Sequence, residues 1–185
     1  MTAFPLQKDV EYPESDGQPL GETGFHVDEM FDLLAAFRAR FRGVPDVYVG
    51  GNMFLYYEEG NPRAVICPDV FVALGVSAEQ RRIYKLWEEG RPPCLVIEIT
   101  SDSTRREDLY RKKDCYARLG VDEYFLHDPL GDYLKPPIQG LRLVDGRYQP
   151  IEPGPDGSLE SLATGVVIQQ EGKGLRLTEV STGKL

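Results

Sequence analysis

The sequence holds little that would tie it to export, to a metal cluster or to a membrane. Cysteine is scarce, with Cys67, Cys94 and Cys115 alone among 185 residues. Three such residues, widely separated, cannot build a disulfide framework or a zinc cluster. Each lies in an apolar stretch, so each is expected as a small buried side chain in a reducing cytoplasm. No apolar run approaches the roughly 20 residues needed to span a bilayer. The opening segment, MTAFPLQKDVEYPESDGQPLGE, lacks the charged-then-apolar layout of an export signal. A soluble, cytoplasmic protein is expected. Internal repeats and low-complexity stretches are also missing. Positive charge is in short supply, with 21 Lys and Arg against 30 Asp and Glu and a net charge of −9. A protein that grips nucleic acid through its whole surface is basic, so that mode is excluded. What remains possible is a local patch, and two segments could supply it: Arg81-Arg82-Ile83-Tyr84-Lys85, and Arg105-Arg106 with Arg111-Lys112-Lys113. The plainer reading of both is solvated surface charge.

What is present is an ordinary globular composition, 41% hydrophobic and 28% charged, which argues against disorder. The length suits one domain with a real core. Residues 1–20, with Pro5, Pro13, Gly17 and Pro19, read as an irregular arm. From Phe25 to Phe41, Met30, Phe31, Leu34, Phe37 and Phe41 recur at helical spacing, closed by Gly43 and Pro45. Val47-Tyr48-Val49, Phe54 to Tyr57, Val65-Ile66-Cys67 and Val70 to Leu74 read as strands. Residues 76–93 show no period and read as a long connection. Cys94 to Ile99 is nearly continuous apolar, a strand buried on both faces. A helix then runs to Leu119 and stops at Gly120, followed by a strand over Glu123 to His127. This order makes a βαβ unit. Past Pro136-Pro137 the pattern turns to short strands and glycine turns, expected as a β-hairpin extension over residues 138–185 on a core of residues 22–137.

Three residues break the apolar patterning. Glu98 sits inside Leu95-Val96-Ile97-Glu98-Ile99, where a carboxylate is costly to bury without a partner. By alternation it shares a face with Val96 and opposes Ile97 and Ile99. The plainer reading places it at a solvated strand end or on an arginine. Asp69 opens an apolar strand after Pro68, a common turn pair when taken alone. Together, an Asp and a Glu on adjacent strands can hold a divalent cation through hard oxygen ligands. On the following helix, Leu109, Cys115, Tyr116 and Leu119 define an apolar face at 100° per residue. Lys112 falls near its middle, Asp108 one turn earlier, and Lys113 towards its edge. Lys112 is read either as half of a simple Asp108–Lys112 helix pair at i,i+4 or as an inward ammonium reaching Asp69 and Glu98.

The order Pro68-Asp69, Glu98 in an apolar strand, then an inward lysine is similar to the PD-(D/E)XK nuclease superfamily. Val96 to Arg106, with Asp108, Lys112, Tyr116, Gly120-Val121, Glu123-Tyr124 and Asp128-Pro129, resembles the Uma-type family of restriction endonucleases. The spacing holds from about Gly21 to Leu143 and is most specific between Cys94 and Pro129. The resemblance implies an α/β (α+β) fold with a mixed central β-sheet flanked by helices. It implies Asp69 and Glu98 as Mg²⁺ ligands, with Mn²⁺ able to substitute, and the backbone carbonyl of Ile99 as a third. The superfamily lysine is expected two residues after the Glu, where this chain has Thr100; in the Uma-type branch it has moved to the next helix, which carries over to Lys112. Glu22, His26 and Asp108 are auxiliary candidates. The function expected is hydrolysis of DNA phosphodiester bonds by a homodimer. The alternative is a non-catalytic module that binds nucleic acid or protein through the same fold.

Overall fold

The computed structural model describes residues 10–15, 17 and 23–184. Helix α1 (Gly24–Arg40) leads into β1 (Val47–Gly50), β2 (Leu55–Tyr56), β3 (Val65–Ile66), β4 (Val70–Leu74) and β5 (Tyr84–Lys85). A one-turn helix α2 (Leu86–Glu89) and strand β6 (Leu95–Ile99) follow. A helix then combines a π-helical segment, Glu107–Lys112, with α3 (Lys113–Leu119) and leads to β7 (Glu123–His127). The remaining strands are β8 (Ile138–Val144), β9 (Arg147–Pro150), β10 (Leu159–Ser161), β11 (Val166–Glu171) and β12 (Gly174–Glu179).

Six strands form the central sheet in the order β1-β4-β6-β7-β8-β9. The sheet is mixed: β6 and β7 run parallel, from Leu95 opposite Glu123 to Ile99 opposite His127, and the other pairings are antiparallel. Every residue of β6 and β7 is buried, as expected for parallel strands covered on both faces. The helical crossover between them ends at Gly120, whose φ of 80° is open to glycine at little steric cost. The C-terminal hairpins are present. β8 and β9 continue the central sheet through an Asp145-Gly146 turn with both φ positive, and β10–β12 make a three-stranded antiparallel sheet against α1.

The core has two halves, one on each face of the central sheet. On one face Leu33, Leu34 and Phe37 of α1 meet Val70, Val72, Ile97, Ile99 and Phe125, together with Val166 and Ile168 of the C-terminal sheet. On the other, Tyr48, Phe71, Val96, Tyr124 and Leu126 meet Cys115 and Tyr116 of α3 and the small β3-β2-β5 sheet. Glu98 belongs to this second face by alternation, beside Val96 and opposite Ile97 and Ile99.

Three expectations need correction. Residues 76–93 are not one structureless connection: they contain β5 and α2, because the fully buried Tyr84 pairs with Leu55 of β2. Phe31 is 60% exposed, and the buried face of α1 runs through His26, Glu29, Met30, Leu33, Leu34 and Phe37. The helix after Thr104 is not uniformly α, since its middle is π-helical. Among the described residues no helix is long and apolar enough to cross a membrane.

Candidate active site

Asp69 precedes β4 by one residue, and Glu98 is the fourth residue of β6. The antiparallel register pairs Val70 with Ile97, so one step further Asp69 faces Glu98 across the sheet. The Asp69 amide donates to Glu98 Oε2 at 3.3 Å, and the Ile99 amide donates to Asp69 Oδ2 at 2.7 Å. A tight turn holds Asp69 from outside, with the Asn52 amide donating to the carbonyls of Pro68 (2.9 Å) and Asp69 (3.2 Å). Gly51 permits this approach: a Cβ there would lie 2.2 Å from the Asp69 carbonyl oxygen.

Glu98 is fully buried, and both its oxygens are held. Lys112 Nζ donates to Oε2 at 2.8 Å and the Tyr116 hydroxyl donates to Oε1 at 2.6 Å. Lys112 also lies 3.2 Å from Asp108 Oδ1. The ammonium therefore bridges the helix neighbour Asp108 and the strand carboxylate Glu98, and its pair with Asp108 is buried rather than on the surface. Tyr116 had been placed on the apolar face alone. The four-residue step from Lys112 put it on the correct side, but nothing in the pattern marked its hydroxyl as a donor to Glu98.

His26 sits in the first turn of α1, where Thr23 Oγ1 accepts its amide proton. Its Nε2 lies 3.3 Å from Asp69 Oδ1. Glu22 lies outside the described residues. Thr100 occupies the position two residues after Glu98; it is buried, and its hydroxyl has no hydrogen-bond partner among the described residues.

Burial dominates the electrostatics, and the charges then sort the groups. Burial would raise the Asp69 pKa, but the His26 hydrogen bond, the Lys112 charge and the Ile99 amide hold it below the ordinary aspartate value. Glu98 is pushed well above the usual carboxylate range by burial, against the attraction of Lys112 and with added repulsion from Asp69 and Asp108. Asp108 is also raised, again by burial first, with Lys112 opposing. Burial alone would discharge Lys112, yet Glu98, Asp108 and Asp69 surround it and raise its pKa, keeping it an ammonium.

A cleft of about 690 Å³ opens onto Asp69 and Lys112. Thr104, Glu107 and Arg111 line one side, and residues of β2 and β3 line the other. Cys94 and Cys115 are buried as expected, whereas Cys67 is half-buried at this cleft, 3.8 Å from Asn52 Oδ1. The first basic segment is largely engaged within the protein. Arg81 stacks 4.0 Å over Tyr48 and pairs with Glu89, Arg82 pairs with Glu14, and Lys85 pairs with Glu88.

The donor set suits one class of ion. Among the described residues no group of three or more His, Cys, Asp or Glu side chains is arranged to cage a metal, so a structural zinc site does not fit. Two facing carboxylates are all hard oxygen, and magnesium characteristically takes one or two carboxylates while keeping several waters.

The architecture is a mixed central sheet packed on both faces, by α1 and the C-terminal sheet on one and by α3 and the small β3-β2-β5 sheet on the other. It is similar to a crystal structure titled a "putative nuclease belonging to DUF820" from Anabaena variabilis, with a TM-score of 0.56 and 13% identity. The match covers 77% of this chain and 75% of that one. Residues 2–171 match the Uma2 family, described as "Putative restriction endonuclease". The chain belongs to that family. No curated protein matches its sequence.

Proposed function

We propose that the chain is a magnesium-dependent endonuclease that hydrolyses DNA phosphodiester bonds, with Asp69 and Glu98, and the Ile99 carbonyl beside them, as ligands for the ion. The observation that carries this reading is Lys112, an ammonium buried at the floor of an open cleft and ringed by carboxylates. Three carboxyl groups surround one ammonium, and the raised pKa of buried Glu98 and Asp108 marks the cost of ionising them together, a cost that a divalent cation would offset. Magnesium, or manganese in its place, supplies Lewis-acid polarisation of the phosphate and a bound water of lowered pKa.

The protein's own groups do the rest. Asp69, held ionised by the Ile99 amide and His26, presents a fixed carboxylate at the cleft. Tyr116 holds one oxygen of Glu98, leaving Oε2 directed towards Asp69 and Lys112. Lys112 orients the attacking water and offsets charge that grows on the phosphate. Asp108, 3.2 Å from Lys112 Nζ, helps to keep the ammonium in position beside Glu98. Cleavage of both strands of a duplex would call for two copies related by a two-fold axis, and light scattering reports whether the homodimer forms.

Plasmid incubated with purified protein and Mg²⁺ or Mn²⁺ is expected to be nicked. Asp69→Ala and Glu98→Ala are each expected to lower the rate at least a hundredfold, by analogy with the loss of other essential catalytic groups. Nicking that survives both substitutions contradicts the proposal.

A further inference from the structure

We infer that the cleft beside Lys112 is a nucleobase subsite and that DNA with unpaired nucleotides is cut in preference to a continuous duplex. The inference rests on the nuclease reading and names the substrate class of that same site.

The cleft has three walls of different chemistry. The helical wall is polar and charged, with Thr104, Glu107, Arg111 and Lys112. The opposite wall is mostly apolar, with the half-buried Phe54 beside Val65, Ile66 and Pro62. The third wall is a strap, Pro13 to Ser15, laid across the small sheet. The strap is firmly pinned. The Tyr56 hydroxyl donates to the Pro13 carbonyl at 2.6 Å, and the Gly60 amide donates to the Tyr12 hydroxyl at 2.6 Å. The Tyr12 ring lies 5.0 Å from Tyr56 and 5.2 Å from Trp87, and Glu14 pairs with Arg82 at 2.6 Å.

Lining and charge then select the occupant. A cleft of about 690 Å³ falls in the size range of sites that take a small ligand and has room for one nucleotide beside Lys112. Gripping a duplex backbone takes many cations, yet here Arg111 and Lys112 stand against Glu14, Asp69 and Glu107, on a chain of net charge −9. An apolar, aromatic surface beside a charged one matches a single nucleotide, whose phosphate meets Lys112 and whose base lies on Phe54. In a duplex the base faces are stacked on one another and offer no surface to such a wall. Unpaired bases offer theirs, and stacking on an aromatic side chain tolerates any sequence.

The test uses three labelled DNAs in Mg²⁺: a duplex with a run of unpaired thymidines, the same duplex fully paired, and the bubble with its thymines removed to leave abasic sugars. The bubble is expected to be cut at least ten times faster than the paired duplex, and the abasic bubble to lose most of that advantage. Phe54→Ala is expected to cost about tenfold on the bubble and clearly less on the abasic DNA. Phe54→Leu, which keeps apolar bulk without the ring, separates stacking from folding: it is expected to melt like the parent and to lose part of the bubble preference. Equal cleavage of all three DNAs, or equal losses by Phe54→Ala on bubble and abasic DNA, overturns the inference while leaving the nuclease reading standing. Cleavage of none of them overturns both.

Discussion

Glu98 is held at three points, by Tyr116 on Oε1 and by Lys112 and the Asp69 amide on Oε2. A buried carboxylate with this many donors has one orientation, and that orientation matters if the group is to bind an ion. Tyr116→Phe keeps the ring and removes the donor. It is expected to weaken divalent-ion affinity by about tenfold, the usual effect of losing an outer-shell partner, and to cost about 1–2 kcal/mol of stability. Activity measured against Mg²⁺ concentration should shift its midpoint and recover at saturation; a loss that does not depend on Mg²⁺ would assign Tyr116 to packing alone. The positions of Glu98 and Lys112 were legible in the sequence because each is a charge in an apolar pattern. The Tyr116 hydroxyl was not, because a tyrosine on an apolar face is compatible with that face. Its role depends on which strand the helix covers.

At the scale of elements, the helical spacing placed Asp108 and Lys112 on the inner side even though the segment is π-helical, a form often found at functional sites. A four-residue step keeps both residues on one side in either helix, so the side was readable and the helix type was not. The strap was invisible to pattern reading, since the Tyr56–Pro13 contact joins residues 43 apart. The loop after β7 was also underread. Asp128, named from the sequence only within the Asp128-Pro129 resemblance, accepts amide protons from Leu130 and Gly131 on Oδ1 and from Tyr133 and Leu134 on Oδ2. Burial would raise its pKa, but the amides of Tyr133 and Leu134, and others of the loop, outweigh it and hold the carboxyl below its ordinary value. A depressed pKa contributes stability above the ordinary aspartate value, about 3.9, and that contribution is lost as pH falls through the folded value. Asp128→Ala is expected to cost about 3 kcal/mol near neutrality. Denaturant unfolding along a pH series should show the gap between parent and variant narrowing below about pH 4. A gap independent of pH would contradict this account of the loop.

Across the whole molecule, the acidic chain confines its candidate chemistry to one cleft. Its first basic segment is drawn into ion pairs and ring contacts, and Lys112 is turned inward. The strand–helix–strand order was enough to imply the βαβ unit that the parallel β6–β7 pair forms, whereas the mixed sheet was implied by the family resemblance. The division of the core into two faces, which decides what Glu98 meets, needed the tertiary structure. Calorimetric titration of the intact protein with Mn²⁺ tests the central claim most directly. One ion per chain is expected to bind, with binding abolished by Asp69→Ala and by Glu98→Ala in variants that still melt cooperatively. No binding at millimolar Mn²⁺, or binding unchanged by both substitutions, would contradict the metal site and favour a non-catalytic binding module.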